Sequence, residues 1–160
     1  MMDAARLLVK IASVFAEKKL EVILVGNAAA ALQGAPVTTD DFDFMWRPTR
    51  RNLMKLREVA RALGGSVSQP EYPLSRFYRI TSPSGVWIDM MGVMDGIKSF
   101  ESLRSRSSEI SLGGIDLVVA DLRDVITSKR AAGRPKDVAA LPVLKESLSL
   151  RERRAREKDH

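Results

Sequence analysis

The most constraining feature of this 160-residue sequence is a strand, a helix and a second strand in immediate succession. Residues 21–25 form a short β-branched apolar run that ends at Gly26, which is typical of a buried strand. Residues 27–33 are rich in alanine and predict a helix, which the following glycine and proline end. Residues 42–46 predict the second strand. This succession indicates a mixed α/β fold.

The rest of the chain continues the same alternation. Helices are predicted at 3–19, 49–63, 121–132 and 136–150, and strands at 76–81, 86–91, 107–112 and 115–119. We therefore expect an α/β (α+β) protein with a small mixed or antiparallel sheet flanked by helices. The expected organisation is a core at 1–120 and a short C-terminal helical segment at 121–160 packed on it.

The composition excludes several kinds of site. The chain has no cysteine, and its one histidine is the terminal His160. A disulfide scaffold, a thiolate nucleophile and cysteine-bound zinc are therefore excluded, and a histidine-based triad is not expected. Any metal would be held by oxygen ligands, which favours Mg²⁺ or Mn²⁺.

The charge balance favours anionic partners. Lysine and arginine number 26 against 20 acids, a formal charge of +6, which suits polyanions such as nucleotides or RNA. No apolar stretch is long enough to cross a bilayer, and the first residues lack the pattern of a secretion signal. We expect no membrane partner and a cytoplasmic location.

Gly26 and Asn27 stand where the first strand meets the alanine-rich helix. A helix N-terminus offers free N–H groups that suit phosphate, and glycine lets the backbone approach an anion closely. The alternative is that Gly26 makes a tight turn and Asn27 caps the helix.

Three acids lie on predicted strands. Asp41 and Asp43 are two residues apart, so they share one face of a strand while the intervening phenylalanines face the core. A divalent cation would relieve their repulsion. Asp89 is a lone acid in an apolar strand, and beside the first two it would complete a cluster able to hold two metals about 4 Å apart. The alternative is that all three are solvated acids on exposed faces.

Cations surround the predicted joint between the last two helices. Gly133 ends one helix and Pro135 opens the next. Lys129 could act as a point charge on a triphosphate, with Arg134 or Lys136 assisting. The alternative is local helix chemistry, since cations stabilise a helix C-terminus.

The order of these motifs resembles the nucleotidyltransferase superfamily that includes DNA polymerase β, and within it the AbiEii/AbiGii-type toxin family. The family pattern is Gly-Gly or Gly-Ser, an alanine-rich helix with a closing glycine, Arg-x-Thr, and then Asp-x-Asp. Residues 25–44 follow it closely as VGNAAAALQGAPVTTDDFDF. Residues 128–137, SKRAAGRPKD, resemble the family's later segment of a lysine followed by Lys-Asp.

The resemblance implies a nucleotidyltransferase fold and a role for each motif. Mg²⁺ or Mn²⁺ would be held by Asp41, Asp43 and Asp89, and Asp89 would be either a ligand or the base for the acceptor hydroxyl. Lys129 would neutralise the triphosphate, and Asp137 would orient Lys129 or the acceptor. The implied nucleotide-binding residues are Gly26, Asn27, Thr39, Lys129, Arg134 and Lys136, and the implied catalytic residues are Asp41, Asp43, Asp89, Lys129 and Asp137.

The resemblance also implies the reaction, in which a hydroxyl of RNA such as tRNA, or of a protein, attacks the α-phosphorus of an NTP and releases pyrophosphate. The chain would be the toxin of a toxin–antitoxin pair, with an antitoxin protein as a further partner. The chain differs from the family pattern at three positions. Asn27 stands where the family has a small Gly or Ser, Val37 stands where arginine is common, and Gln33 stands where histidine is frequent. These departures leave open a degenerate member that binds nucleotide or a partner without turnover. A basic RNA-binding module is a third alternative, and it predicts binding that falls steeply with salt.

Overall fold

The computed structural model describes residues 4–39, 41–70 and 77–159. Asp3 and Arg76, the first residues of two predicted elements, and Asp40, predicted as a turn or cap residue, lie outside these ranges. The terminal His160 also lies outside them.

The described residues form helices and strands close to the predicted ones. The helices are α1 (Ala4–Glu17), α2 (Gly26–Leu32), α3 (Arg50–Ala62), α4 (Phe100–Arg106), α5 (Leu122–Ala132) and α6 (Pro135–Lys158). The strands are β1 (Ile23–Val25), β2 (Phe42–Met45), β3 (Ser66–Ser68), β4 (Tyr78–Thr81), β5 (Trp87–Met91), β6 (Ser108–Leu112) and β7 (Ile115–Val119).

Two short elements and the full length of the last helix differ from the prediction. β3 is a three-residue polar strand, and α4 is a short helix that begins after Ser99, whose hydroxyl accepts a hydrogen bond from the Ser102 N–H. α6 continues past its predicted end at residue 150 to Lys158 because arginine, glutamate and lysine are good helix formers and no breaker intervenes.

Within the described residues the strands form one mixed sheet in the order β3-β4-β5-β2-β1-β7-β6. β2 pairs antiparallel with β1 and parallel with β5, while β1 pairs parallel with β7. The pairs β4–β5 and β6–β7 are the two predicted hairpins. This order places β2 and β5 side by side, although they are far apart in the sequence.

The hydrophobic core fixes which face of β2 is free for chemistry. Phe44 is fully buried, and its ring meets that of Phe15 from α1 edge to face, with 5.0 Å between the ring centroids. Because side chains alternate along a strand, Asp43 lies on the opposite face from Phe44. Helices α2 and α5 contact each other beside the sheet, and α6 packs on α5.

Gln33 connects helices α2, α5 and α6 through hydrogen bonds of its side-chain amide. Its amide donates to the carbonyls of Ala29 and Ala120, and its oxygen accepts from the N–H of Leu122 and the guanidinium of Arg151. The end of α2, the start of α5 and the far half of α6 therefore share one hydrogen-bonded side chain. The division of the chain at residue 120 stays a prediction.

Of the helices in the described ranges, none has both the length and the apolar character needed to cross a bilayer.

Candidate active site

The structure brings the three predicted acids together on adjacent strands. Asp43 of β2 and Asp89 of β5 are paired directly in the parallel register. Asp41 precedes β2, and its Oδ1 accepts a hydrogen bond from the Trp87 N–H of β5 at 3.1 Å. Neighbouring residues in a parallel register point to the same face, so these carboxylates share one side of the sheet.

Asp43 is the most perturbed of the three acids. Its pKa is raised from the ordinary 3.8 to about 6, first by burial and then by the negative charges of Asp89 and Asp41. Lys129 and Lys136 act in the opposite direction and only partly compensate. At Asp43, burial and the two neighbouring carboxylates therefore outweigh the nearby lysines, so ionisation of its carboxyl group is unfavourable.

Gly26 is required for the close approach of α2 to Asp43. Its φ is +67°, a conformation that side-chain-bearing residues rarely adopt, and a Cβ there would lie 2.9 Å from Asp43 Oδ2. Any larger residue at position 26 would meet the carboxylate. The tight turn expected from the sequence therefore also positions a site residue.

Asp89 is paired with Arg79, which was not among the predicted site residues. The Arg79 Nε lies 2.7 Å from Asp89 Oδ1, and its Nη2 lies 3.2 Å from Oδ2. The guanidinium also covers the Trp87 ring, with its carbon 3.9 Å from the centroid. The predicted hairpin did place Arg79 on the strand that pairs with the strand of Asp89, and the observed register sets the two residues directly opposite each other.

The donor set fits a hard divalent cation at two of the three acids. Asp41 and Asp43 supply carboxylate oxygens, the donors that Mg²⁺ and Mn²⁺ prefer, and burial followed by the charges of Asp89 and Asp41 raises the pKa of Asp43. Asp89 is already paired with a cation. Accordingly, no group of three or more acidic, histidine or cysteine side chains in the described ranges is arranged as a metal site.

The α5–α6 joint presents the predicted cations. Asp137 is 1% exposed, and its carboxylate lies 3.6 Å from Lys129 Nζ and 2.6 Å from Arg134 Nε. Burial by itself would raise the pKa of Asp137, but the hydrogen bond from Arg134 and the charges of Arg134 and Lys129 lower it overall. Gly133 ends α5 in the left-handed conformation and Pro135 opens α6, as the sequence predicts. Asp137 thus holds Lys129 in place.

Three further predicted nucleotide-binding residues occupy different environments. Lys136 is exposed and close enough to Asp43 to lower its pKa. The Thr39 hydroxyl donates to the Asp41 carbonyl and thereby shapes the turn into β2. The Asn27 amide donates to the Thr38 carbonyl at 3.4 Å, and its buried Oδ1 has no hydrogen-bond partner among the described residues. Their roles toward a nucleotide stay predictions.

A cavity of about 320 Å³ adjoins the cluster. Its lining includes Gly26 and the charged residues Asp43, Asp95, Asp124, Lys129, Arg134 and Asp137, together with the apolar residues Met91, Met94, Ile97, Leu103 and Val125. Asp41 and Asp89 are not among the lining residues. The cavity therefore joins Asp43 to the cations of the α5–α6 joint, and the other two acids lie outside it.

Solved structures of other proteins share this architecture. ANT(2'')-Ia in complex with adenylyl-2''-tobramycin matches with a TM-score of 0.65 and 17% identity, over 92% of this chain and 91% of that one. The lincosamide antibiotic adenylyltransferase LnuA, lincomycin-bound, matches with a TM-score of 0.62 and 12% identity, over 86% of this chain and 94% of that one. A nucleotidyltransferase assigned as putative, from Thermotoga maritima, matches with a TM-score of 0.56 and 19% identity, over 90% of this chain and 91% of that one.

The chain has the nucleotidyltransferase fold. Identities below one fifth show the architecture alone, and the AbiEii/AbiGii-type resemblance is not among these findings. No protein-family model matches the sequence, and no curated protein does. Within the nucleotidyltransferase fold, the acids on β2 and β5 and the lysine on α5 define the candidate active site.

Proposed function

We propose that this protein transfers a nucleoside monophosphate from an NTP to a hydroxyl acceptor, with Mg²⁺ or Mn²⁺ as cofactor. The observation that carries the proposal is the pairing of Asp43 with Asp89 on adjacent parallel strands, with Asp41 beside them. The fold shared with two antibiotic adenylyltransferases supports the same class of reaction.

Asp41 and Asp43 would hold the cation. When bound, the cation would neutralise charge on the phosphate oxygens and favour attack at phosphorus. Gly26 leaves room for the Asp43 carboxylate beside the start of α2, since a Cβ there would lie 2.9 Å from Asp43 Oδ2. A fixed carboxylate costs no reorganisation during the reaction, which is the basis of electrostatic preorganisation.

The cations of the α5–α6 joint would bind the triphosphate. Lys129 reaches the same cavity as Asp43 and is oriented by the buried Asp137. Arg134 and Lys136 add exposed positive charge at the mouth. We extend this role to Gly26 and Asn27 through their backbone N–H groups, as the sequence resemblance implies.

The proposed reaction forms one bond and breaks another at the α-phosphorus. The acceptor oxygen bonds to the α-phosphorus while the bond to the oxygen that bridges to the β-phosphate breaks, and pyrophosphate leaves. The hydroxyl proton passes to a carboxylate, for which Asp89 is our candidate. Most of the rate enhancement would come from positioning and charge stabilisation.

The acceptor and the biological role are further parts of the proposal. The sequence resemblance favours a hydroxyl of RNA such as tRNA or of a protein, with the chain acting in the cytoplasm as a toxin controlled by an antitoxin. The antibiotics bound in the two adenylyltransferase structures suggest a small hydroxylated molecule as an alternative acceptor.

The direct test is label transfer from each α-labelled NTP with Mg²⁺, using total RNA, total protein and a panel of antibiotics as separate acceptors. We expect transfer to one acceptor class, and at least about 1,000-fold loss in Asp41→Asn, as when a group that stabilises the transition state is removed. Asp116→Asn, an exposed acid of β7, is the matched control and keeps full activity. Equal transfer by Asp41→Asn would contradict the proposal.

The non-catalytic alternative draws on one observation, the ion pair that already occupies Asp89. A degenerate member would bind NTP in calorimetry with Mg²⁺ present and form no product with any acceptor. This alternative would be excluded if the unmodified protein turns over and the carboxylate substitutions abolish that turnover.

A further inference from the structure

Arg79 is held in place by several independent contacts. Its guanidinium forms a two-pronged hydrogen bond to Asp89 and stacks on Trp87, and its carbon lies 5.4 Å from the centroid of the Phe77 ring. The side chains of Arg79 and Asp89 are only 21% and 19% exposed. A half-buried, two-pronged pair of this kind is stronger and more rigid than a surface ion pair.

The other two acids have a different environment. In the part of the chain that the structure describes, neither Asp41 nor Asp43 forms an ion pair. Lys129, the nearby cation in the cavity, is bound to Asp137 instead. The cluster is therefore asymmetric, with two unpaired carboxylates and one that is permanently neutralised, since a guanidinium stays charged at any ordinary pH.

We propose that Arg79 is the built-in second cation of this site, which neutralises Asp89 and limits the cluster to one divalent cation held by Asp41 and Asp43. This inference rests on the proposed function, because it requires that the cluster binds a metal at all. It assigns Arg79 as a positioning residue that fixes the orientation of the Asp89 carboxylate through two hydrogen bonds. A second divalent cation on Asp89 would have to displace the guanidinium from both the carboxylate and the Trp87 ring.

The test counts Mn²⁺ ions bound per chain, from the electron paramagnetic resonance signal of the free ion during titration with Mn²⁺ alone. We expect one ion in the unmodified protein and two in Arg79→Gln, which removes the charge but keeps a polar side chain. Arg79→Lys keeps the charge and is expected to bind one. Arg6→Gln, an exposed arginine of α1, is the matched control and also binds one.

The outcomes separate this inference from the proposed function. Two ions in the unmodified protein, lost in Asp41→Asn, would overturn the role of Arg79 and leave the metal-dependent function standing. One ion in both the unmodified protein and a folded Arg79→Gln would also overturn it. No bound ion in the unmodified protein would overturn the inference, whereas the metal-dependent function would be overturned separately by label transfer that proceeds equally without a divalent cation. Circular dichroism establishes whether each variant is folded. If Arg79→Gln does not fold, two ions bound to a folded Arg79→Lys would still contradict the proposal.

Discussion

At the scale of single residues, Asp43 is a candidate site residue whose ionised carboxylate opposes stability. It is buried beside two other acids, and its pKa of about 6 means that ionisation is unfavourable in the folded protein. The rise of the Asp43 pKa from 3.8 to about 6 corresponds to a cost of about 3 kcal/mol for ionising the carboxyl group in the folded protein, at 1.36 kcal/mol per pKa unit. A bound cation would offset this cost.

Asp43→Asn is therefore expected to stabilise the metal-free protein at neutral pH. Between pH 3.8 and about 6 the folded state holds a proton on Asp43 that the unfolded state has lost, so stability falls as pH rises through this window. Above it, the ionised carboxylate keeps destabilising the fold. In urea unfolding we expect the variant to be about 1–3 kcal/mol more stable at pH 8 and nearly unchanged at pH 4.

The same experiment contains its own control. Mg²⁺ should stabilise the unmodified protein at pH 8 by binding only the folded state, and it should not stabilise Asp43→Asn. Asp116→Asn should match the unmodified protein at both pH values. A less stable Asp43→Asn at pH 8 would show that the carboxylate is satisfied without a cation.

Gly26 provides a second prediction at this scale, with Gly34 as its matched control. Both have positive φ, but a Cβ at Gly34 meets nothing within 4 Å, whereas one at Gly26 meets Asp43. Each alanine substitution should cost about 1–2 kcal/mol of backbone strain. In calorimetry only Gly26→Ala should also lose Mn²⁺ binding, and equal binding losses in both variants would contradict the role assigned to the contact.

At the scale of elements, the α5–α6 joint links two helices through one buried acid. Asp137 neutralises Lys129 and Arg134, which face the cavity. Because the pKa of Asp137 is lowered overall, its stabilising contribution is present above its ordinary pKa and is lost as pH falls below it.

Asp137→Asn should separate positioning from stability. Loss of the charged hydrogen bonds should cost about 1–3 kcal/mol, and the misplaced Lys129 should raise KM for the NTP about tenfold, equivalent to about 1.4 kcal/mol. Asp121→Asn is the control, since Asp121 pairs with Arg151 at the other end of α5. That variant should lose stability with KM unchanged, and an equal rise of KM in both would contradict the assignment.

Local signals account for most of the predicted elements. Thr49 caps α3 through its hydroxyl, and the glycines at 64 and 65 end it, so both limits were visible in the sequence. β3 and α4 were missed because a three-residue polar strand and a seven-residue helix carry too little periodicity to recognise. Their formation depends on neighbours, since β3 exists only as the pairing partner of β4.

At the scale of the whole molecule, the sheet order determines whether the acids form a site. Composition predicted oxygen ligands, and strand alternation predicted that Asp41 and Asp43 share a face. The position of Asp89 depends on β5 lying beside β2, a long-range pairing that no local pattern specifies. The family resemblance implied that Asp89 lies beside the other two acids. The contact between Arg79 and Asp89 follows from the register of the β4–β5 hairpin, which the sequence did not specify.

The most direct test of the account is the position of Mn²⁺ in crystals soaked with Mn²⁺ and an NTP analogue whose α,β-bridge cannot be cleaved. The anomalous signal of manganese distinguishes the ion from water and from light cations. We predict one peak in contact with carboxylate oxygens of both Asp41 and Asp43, with the triphosphate reaching Lys129. A nucleotide bound with no ion at these acids, or an ion bound elsewhere, would contradict the account.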